Sequence, residues 1–89
     1  MKQRFSLECE RIAELLTQKN EKYGNSFEKT ADEYGSSVIL LRLDDKLNRL
    51  KTLLRANDTA INTDESVLDT LTDLAGYAIL AKIYLQNKK

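Results

Sequence analysis

The chain has 89 residues with 14 basic and 14 acidic side chains, so its formal net charge is zero. This balance argues against a general nucleic-acid-binding protein, which normally carries a basic excess. No apolar run approaches the roughly 20 residues needed to span a bilayer. The N-terminus turns acidic too early for a secretory signal peptide. We therefore expect one domain over residues 1–89, located in the cytoplasm.

Histidine is absent and Cys9 is the only cysteine. Together these counts exclude an internal disulfide, a Ser-His-Asp triad and a His-based zinc site. We expect Cys9 to be a small buried hydrophobic residue. Any chemistry must use carboxylates, Lys, Arg, Tyr, Asn or a metal ion.

Helix-forming residues dominate, proline is absent and strand-like alternation is missing, which predicts an all-α fold of three long helices and one short helix. The first long helix is expected over residues 3–22. Its apolar stripe recurs at spacings of four, three and four: Phe5, Cys9, Ile12 and Leu16. Gly24 can end this helix in the left-handed conformation.

The short helix is expected over residues 27–34, with Ser26 as its N-cap and Gly35 as a second left-handed stop. Ser36 or Ser37 can cap the second long helix, which runs to about Ala56, and a turn follows over residues 57–60. The leucines of this helix form a 3-4-3-4 repeat: Leu40, Leu43, Leu47, Leu50 and Leu54. Ile39, Leu41 and Leu53 make the apolar face wider than a two-stranded seam requires, so we expect this helix to contact more than one neighbour.

The third long helix is expected to start after a cap at Asn62 or Thr63 and to run to about Gln86. Its main apolar stripe is Val67, Leu71, Leu74, Ala78, Ala81 and Leu85. Gly76 lies in the middle of this helix and predicts either close helix packing or room for a ligand. Three helices with wide apolar faces suggest an incomplete bundle, which we expect a homodimer or homotetramer to complete.

Acidic residues mark the third long helix. Glu65, Asp69 and Asp73 lie one turn apart and share a face. Such like charges repel by roughly 0.2–0.5 kcal/mol per pair, so the face needs water, basic partners or a cation. With Asp45 from the second long helix, they form a candidate Mg²⁺ site, because Mg²⁺ prefers oxygen ligands and substrate phosphates. The alternative is a solvated acidic face that pairs with neighbouring Lys or Arg.

Basic and polar residues accompany Asp45 on the second long helix. Lys46, Asn48 and Arg49 are suited to a phosphate chain beside a metal ion. The alternative for Arg49 is an ion pair with Asp45 one turn earlier.

Residues 19–27 form a third polar cluster, at the end of the first helix. In a nucleotide site, Tyr23 or Phe27 would stack on a base, Asn25 would hydrogen-bond it, and Lys19 or Lys22 would contact phosphate. The alternative is an ordinary helix end and turn. No glycine-rich phosphate-binding motif is present.

Four sequence blocks in this order, KNEKYGNSF, EYG, DDKLNRL and DESVLDTLTDLAGYAIL, resemble the small helical nucleotide modification associated domain proteins of phages and bacteria. The resemblance covers about residues 19–80. That family is similar in pattern to the all-α, MazG-like and dimeric dUTPase group of nucleoside triphosphate pyrophosphohydrolases. The resemblance implies an oligomeric MazG-like helical bundle in which Asp44, Asp45 and Asn48 occupy the positions of the first acidic motif. Glu65, Asp69 and Asp73 would supply the second acidic motif.

These observations lead to a hypothesis of a Mg²⁺-dependent (deoxy)nucleoside triphosphate pyrophosphohydrolase, or of a nucleotide-binding protein. In it, Asp45, Lys46, Arg49 and Asp69 are catalytic. Asp45, Glu65, Asp69 and Asp73 hold Mg²⁺. Lys19, Tyr23, Asn25 and Asn48 contact the nucleotide. The alternative is a non-catalytic helical module with a regulatory or assembly role.

Overall fold

The computed structural model describes residues 1–56 and 65–87, apart from the side chains of Ala56 and Glu65. Within these ranges the chain forms four α-helices and no strand, so the all-α prediction is confirmed. The helices are α1 (Lys2–Tyr23), α2 (Ser26–Tyr34), α3 (Ser37–Ala56) and α4 (Glu65–Asn87). The bounds of α1, α2 and α3 and the end of α4 lie within one residue of their predicted positions. The predicted turn at 57–60 and the caps at Asn62 and Thr63 lie outside the described residues.

Helices α3 and α4 form an antiparallel pair, which is the most extensive helix contact in the protein. Two cross-helix contacts set its direction. Lys46 pairs with Asp73, and Arg49, three residues later on α3, contacts Thr70, three residues earlier on α4. Helix α1 packs on α4, and α2 packs on α3. Helix α4 therefore lies between α1 and α3 and can present side chains to both.

Two consecutive left-handed residues connect α1 to α2. Gly24 has φ 63° and ψ 42°, and its N–H donates to the Asn20 carbonyl, as predicted for a glycine cap. Asn25 follows with φ 62° and ψ 41°, a conformation that asparagine tolerates better than most residues. Asn25, and not Ser26, is therefore the N-cap of α2.

Gly35 also has a positive φ, but the left-handed prediction was wrong in detail. Its φ of 91° and ψ of 173° place it in an extended region that is essentially restricted to glycine. Its N–H still closes α2 by donating to the Ala31 carbonyl. The extended ψ turns the chain into α3, whose first turn is tightened by a hydrogen bond from the Ile39 N–H to the Ser36 carbonyl.

The core of the protomer is small. Among the described residues, the buried apolar side chains are Ala31, Val38, Val67 and Ala81. No described leucine, isoleucine or phenylalanine reaches the same degree of burial. The protein exposes 7083 Å², whereas size scaling gives roughly 5,300 Å² for a folded monomer of this mass. Its radius of gyration is 14.6 Å, against about 12 Å for a compact domain of this length.

The predicted apolar stripes are only partly buried. On α1, Ile12 and Leu16 are half-buried, but Phe5 and Cys9 are exposed, so the prediction of a buried Cys9 was wrong. The reason is that α1 contacts α4 through its C-terminal half, so no described partner covers its first turns. On α4, Val67, Leu74 and Ala81 face inward, whereas three members of the predicted stripe are exposed: Leu71, Ala78 and Leu85.

No helix within the described ranges is both long enough and apolar enough to cross a membrane.

Candidate functional site

A cleft of about 250 Å³ lies between α1 and α4 and is bounded at one end by the α1–α2 turn. Its walls are mainly apolar, with polar groups at the rim. Gly76 of α4 allows α1 to approach closely, since a Cβ built at this position would lie 3.2 Å from Leu16 Cδ2. The prediction that Gly76 permits close helix packing is therefore confirmed. The lining residues are Ile12, Leu15, Leu16, Lys19, Asn20, Tyr23, Asn25, Ser26, Phe27, Thr72, Asp73, Gly76, Tyr77 and Leu80.

The α1–α2 turn places polar and aromatic side chains at the end of the cleft. Because Gly24 and Asn25 are both left-handed, the chain reverses immediately after Tyr23 and brings Phe27 back towards α4. The Asn25 Nδ2 donates to Glu28 Oε2 at 2.6 Å, which fixes the amide in the first turn of α2. Tyr23 remains exposed, with the Lys22 ammonium 5.5 Å from its ring centroid.

Aromatic rings form the floor of the cleft at the end next to the α1–α2 turn. The Phe27 ring centroid lies 6.1 Å from that of Tyr77 and 6.5 Å from that of Tyr84, the second pair in an edge-to-face arrangement. The Tyr84 hydroxyl donates to Asp32 Oδ1 at 2.9 Å, which ties α4 to α2. These contacts hold Phe27 and Tyr77 in place, so the aromatic surface is preorganised.

An ion cluster of Lys19, Asp73 and Lys46 lies beside the cleft. The Lys19 Nζ is 3.5 Å from Asp73 Oδ1, and the Lys46 Nζ is 3.3 Å from Asp73 Oδ2. The two ammonium groups come from different helices, α1 and α3, and meet on one carboxylate of α4. The side chains of Lys46 and Asp73 are each 28% exposed, so the cluster is partly shielded from solvent. Its formal charge is +1.

Arg49 extends this line of polar contacts along the α3–α4 pair. Its Nε donates to Thr70 Oγ1 at 3.3 Å, and the Thr70 hydroxyl in turn donates to the Ser66 carbonyl at 2.7 Å. Thr70 is only 1% exposed, so its hydroxyl needs both partners. In this structure Arg49 is therefore a contact between helices, and its predicted catalytic role stays a prediction.

The structure brings together five of the predicted site residues at the cleft: Lys19, Tyr23, Asn25, Phe27 and Asp73. Lys46 joins them through Asp73. The remaining predicted residues with described side chains do not line the cleft and are exposed: Lys22, Asp45, Asn48, Arg49 and Asp69, with Asp44 likewise exposed. By helical spacing, Asp45 lies one turn from Arg49, and Asp69 lies one turn from Asp73.

The Mg²⁺ site is not formed by the described side chains alone. Within the described ranges, no three His, Cys, Asp or Glu side chains lie together in a way that could hold a metal ion. The Glu65 side chain, which was predicted to be a ligand, lies outside the described residues. Asp73 faces two ammonium groups. The assignment of Mg²⁺ to Asp45, Glu65, Asp69 and Asp73 therefore stays a prediction.

Sequence reasoning missed three contributors to this region: Thr70, Thr72 and Tyr77. Thr70 was hidden because a threonine on a core-facing position looks like a break in an apolar stripe. Tyr77 could have been found, since it follows Asp73 by one turn and therefore shares its face. Thr72 carries no sequence signal that separates it from a solvated residue.

Comparison with known proteins identifies a family and nothing finer. No curated protein and no solved structure matches the chain significantly. The family model described as nucleotide modification associated domain 1 matches residues 19–85, which include the cleft residues of the α1–α2 turn and almost all of α4. The chain therefore belongs to the nucleotide modification associated domain 1 family.

Proposed function

We propose that this protein binds a nucleotide, with the base in the cleft between α1 and α4 and the phosphates on Lys19 and Lys46. One observation carries the proposal. Two lysines from different helices meet beside a cleft that contains aromatic rings and side-chain amides. A nucleotide combines an aromatic base with a polyanion, so it matches both parts of this surface.

The cleft suits a base in size and chemistry. Phe27 and Tyr77 provide aromatic surface, and base–aromatic stacking is worth roughly 1–3 kcal/mol per base. Asn20 lies at the rim, where a side-chain amide can pair with a base edge. The volume of about 250 Å³ is slightly below the roughly 300–1,000 Å³ of clefts that enclose a drug-sized ligand. The base would therefore be enclosed while the phosphates remain outside.

The lysines suit the phosphates because Asp73 neutralises only one of their two charges. A triphosphate carries more negative charge than one carboxylate and can accept hydrogen bonds from both ammonium groups at once. Phosphate would then replace Asp73 as the partner of Lys19, which is the more exposed lysine of the cluster. Arg49 lies one turn beyond Lys46 on α3.

Hydrolysis is the finer proposal, and it rests on the acidic pattern of α3 and α4. A pyrophosphohydrolase would direct water at the α-phosphorus and break the α–β phosphate linkage, giving a nucleoside monophosphate and pyrophosphate. Mg²⁺ would supply charge neutralisation on the phosphates. Asp69 and Asp45 are the exposed carboxylates closest along their helices to Asp73 and Lys46, so they are the candidates to meet it.

A non-catalytic nucleotide-sensing module is the second candidate. It is favoured by the ion cluster itself, because Asp73 in contact with two ammonium groups is occupied as a structural counter-ion. Binding without turnover would be its signature.

The test is calorimetric titration with a panel of ribo- and deoxynucleoside triphosphates, with Mg²⁺ or with EDTA, followed by an assay for released pyrophosphate. Lys46→Gln should weaken triphosphate binding roughly 10- to 100-fold, because it removes one charge-assisted contact. The same variant should leave binding of the parent nucleoside unchanged. Lys82→Gln, an exposed position on α4 outside the cleft, is the matched control.

Absence of heat with every nucleotide would refute the binding proposal. Equal triphosphate affinity of Lys46→Gln and wild type would show that Lys46 does not contact the phosphates. Binding without pyrophosphate release, with or without Mg²⁺, would refute hydrolysis and leave the sensing module.

A further inference from the structure

We propose that a second copy of this chain covers the apolar side of the α3–α4 pair, with the two α3 helices antiparallel and crossing at Leu47. The proposal is independent of the nucleotide site. It begins with the small core, because the protomer leaves large apolar side chains exposed along one side of each helix in this pair.

Three exposed leucines of α3 form a straight row. Leu40, Leu47 and Leu54 are 65%, 40% and 43% exposed, and they are spaced by seven residues. At 100° per residue they lie on the side of α3 opposite Arg49, so they face away from its contact with α4. The half-buried Leu43 and Leu50 occupy the alternate positions of the predicted repeat and face the protomer. In the proposed dimer, one leucine repeat would serve both its own chain and the second copy.

Helix α4 continues the same surface. Leu68, Leu71 and Ile79 are exposed and lie around the half-buried Ala75. Leu71 is on the side of α4 opposite Asp73, away from the cleft. In an antiparallel pair, corresponding flanks of both helices face the same direction, so the two apolar rows form one continuous face. This face lies on the side of the pair away from α1 and the lysine cluster.

The exposed surface of the whole protein leaves room for a standard interface. The protein's 7083 Å² exceeds the expected monomer surface by roughly 1,800 Å², whereas each partner in a standard interface loses about 800 Å². Among the described residues, no buried apolar side chain is larger than valine, so a cover over the exposed leucines would stabilise the fold. A second copy is the partner that is always present.

The pattern of the face is complementary to itself. In a two-fold arrangement centred on Leu47, the Leu40 side chain meets Leu54 of the other copy, and Leu47 meets its own counterpart. Asp44 and Lys51 flank the leucine row on one edge and are equally spaced about its centre, within half a residue. Asp44 of one copy would therefore lie beside Lys51 of the other, twice per dimer. Neither residue makes an ion pair within the described part of the protomer.

Disulfide cross-linking tests whether Leu47 lies at the two-fold axis. The test does not depend on the separated monomer being folded. In a Cys9→Ser background, Leu47→Cys places one thiol from each copy at the two-fold axis. With diamide as oxidant, the two thiols should form an intermolecular disulfide and run as a dimer on a non-reducing gel. Leu41→Cys is the matched control, since Leu41 is 59% exposed but lies off the leucine row. Equal cross-linking at both positions would overturn the proposed seam.

Sedimentation equilibrium tests the charge pairs. Asp44→Lys and Lys51→Asp should each raise the dimer dissociation constant roughly two- to thirtyfold, because each disrupts two surface pairs. The double variant, in which the charges are exchanged, should return close to wild type. A wild-type protein that remains monomeric up to high micromolar concentration would overturn the proposal. Single variants that dimerise like wild type, or a double variant without rescue, would also overturn it.

Discussion

Replacing Asp73 by Asn separates two roles of this carboxylate, because they predict opposite changes in nucleotide affinity. In the structure, Asp73 is the counter-ion of Lys19 and Lys46, with N–O distances of 3.5 and 3.3 Å. Removing its charge frees both ammonium groups for phosphate. If Asp73 were instead needed as a Mg²⁺ ligand, the same change would remove a ligand and weaken binding.

The magnitude follows from the exposure of the two pairs. Partly exposed ion pairs of this length contribute about 0.2–1 kcal/mol each after screening. Lys19 is 50% exposed, so its ion pair with Asp73 should contribute free energy at the low end of this range. The pair between Lys46 and Asp73 is better shielded from solvent. We therefore expect Asp73→Asn to lower the free energy of unfolding by about 1 kcal/mol. In the variant, phosphate no longer has to displace the Asp73 carboxylate from the two lysines. The affinity for triphosphate should therefore rise roughly fivefold.

Calorimetric titration in EDTA and in Mg²⁺ measures this change, with chemical denaturation to monitor stability. Asp69→Asn is the matched control, since Asp69 lies one turn away on α4, is exposed and makes no ion pair in the described part of the chain. It should leave affinity in EDTA unchanged. A fall in affinity for Asp73→Asn that appears only with Mg²⁺ would refute the counter-ion reasoning and support the metal-ligand prediction.

Three substitutions test the fold by chemical denaturation. Thr70→Val should cost about 1–3 kcal/mol, because it removes the buried acceptor of Arg49. Phe27→Ala should cost about 2–3 kcal/mol through lost packing on two tyrosine rings. Gly24→Ala should cost about 1–2 kcal/mol, since φ is 63° at this cap. Ser26→Ala, an exposed position in the same turn, is the control for the last two, and unchanged unfolding midpoints in the three variants would contradict the assigned contacts.

The helices were predictable because their signals are local. Apolar periodicity and glycine stops depend on neighbouring residues, so the bounds of α1, α2 and α3 lie within one residue of their expected positions. The conformations of the stops were harder to predict. A positive φ can be inferred from glycine at Gly35, but its ψ of 173° is set by where α3 must start. The left-handed conformation of Asn25 was likewise not specified by its residue type alone.

Burial was less predictable, because an apolar stripe shows that a helix face is to be covered but does not identify the partner that covers it. Leu43 and Leu47 belong to one repeat, yet Leu43 is half-buried against the protomer and Leu47 is exposed. Cys9 was expected to be buried with Ile12 and Leu16, but α1 reaches α4 only through its later turns. These outcomes depend on helix crossing positions, which are not encoded at any single residue.

The candidate site was predicted in part for the same reason. Lys19, Tyr23 and Asn25 are close in sequence, and their meeting at one end of a cleft follows from a single turn. The contact of Asp73 with Lys46 depends on the register of α3 against α4, which no local pattern specifies. The negative charges in a row of carboxylates can also be neutralised in two ways, by a bound cation or by basic side chains. The charge of Asp73 is neutralised by lysines from both neighbouring helices.

Helix α1 has a further consequence for how the cleft communicates with the rest of the protein. Its C-terminal half provides the cleft wall, whereas its first turns, including Phe5 and Cys9, are exposed and rely on hydrogen bonds within the helix. A helix supported at one end opens from the other, so amide exchange should quicken from Leu16 towards Met1. A ligand that fixes Lys19 and Tyr23 would strengthen the support and slow exchange along the whole helix. The single thiol of Cys9 lies one helical turn before the cleft residue Ile12 and is therefore a natural reporter of whether the cleft is occupied.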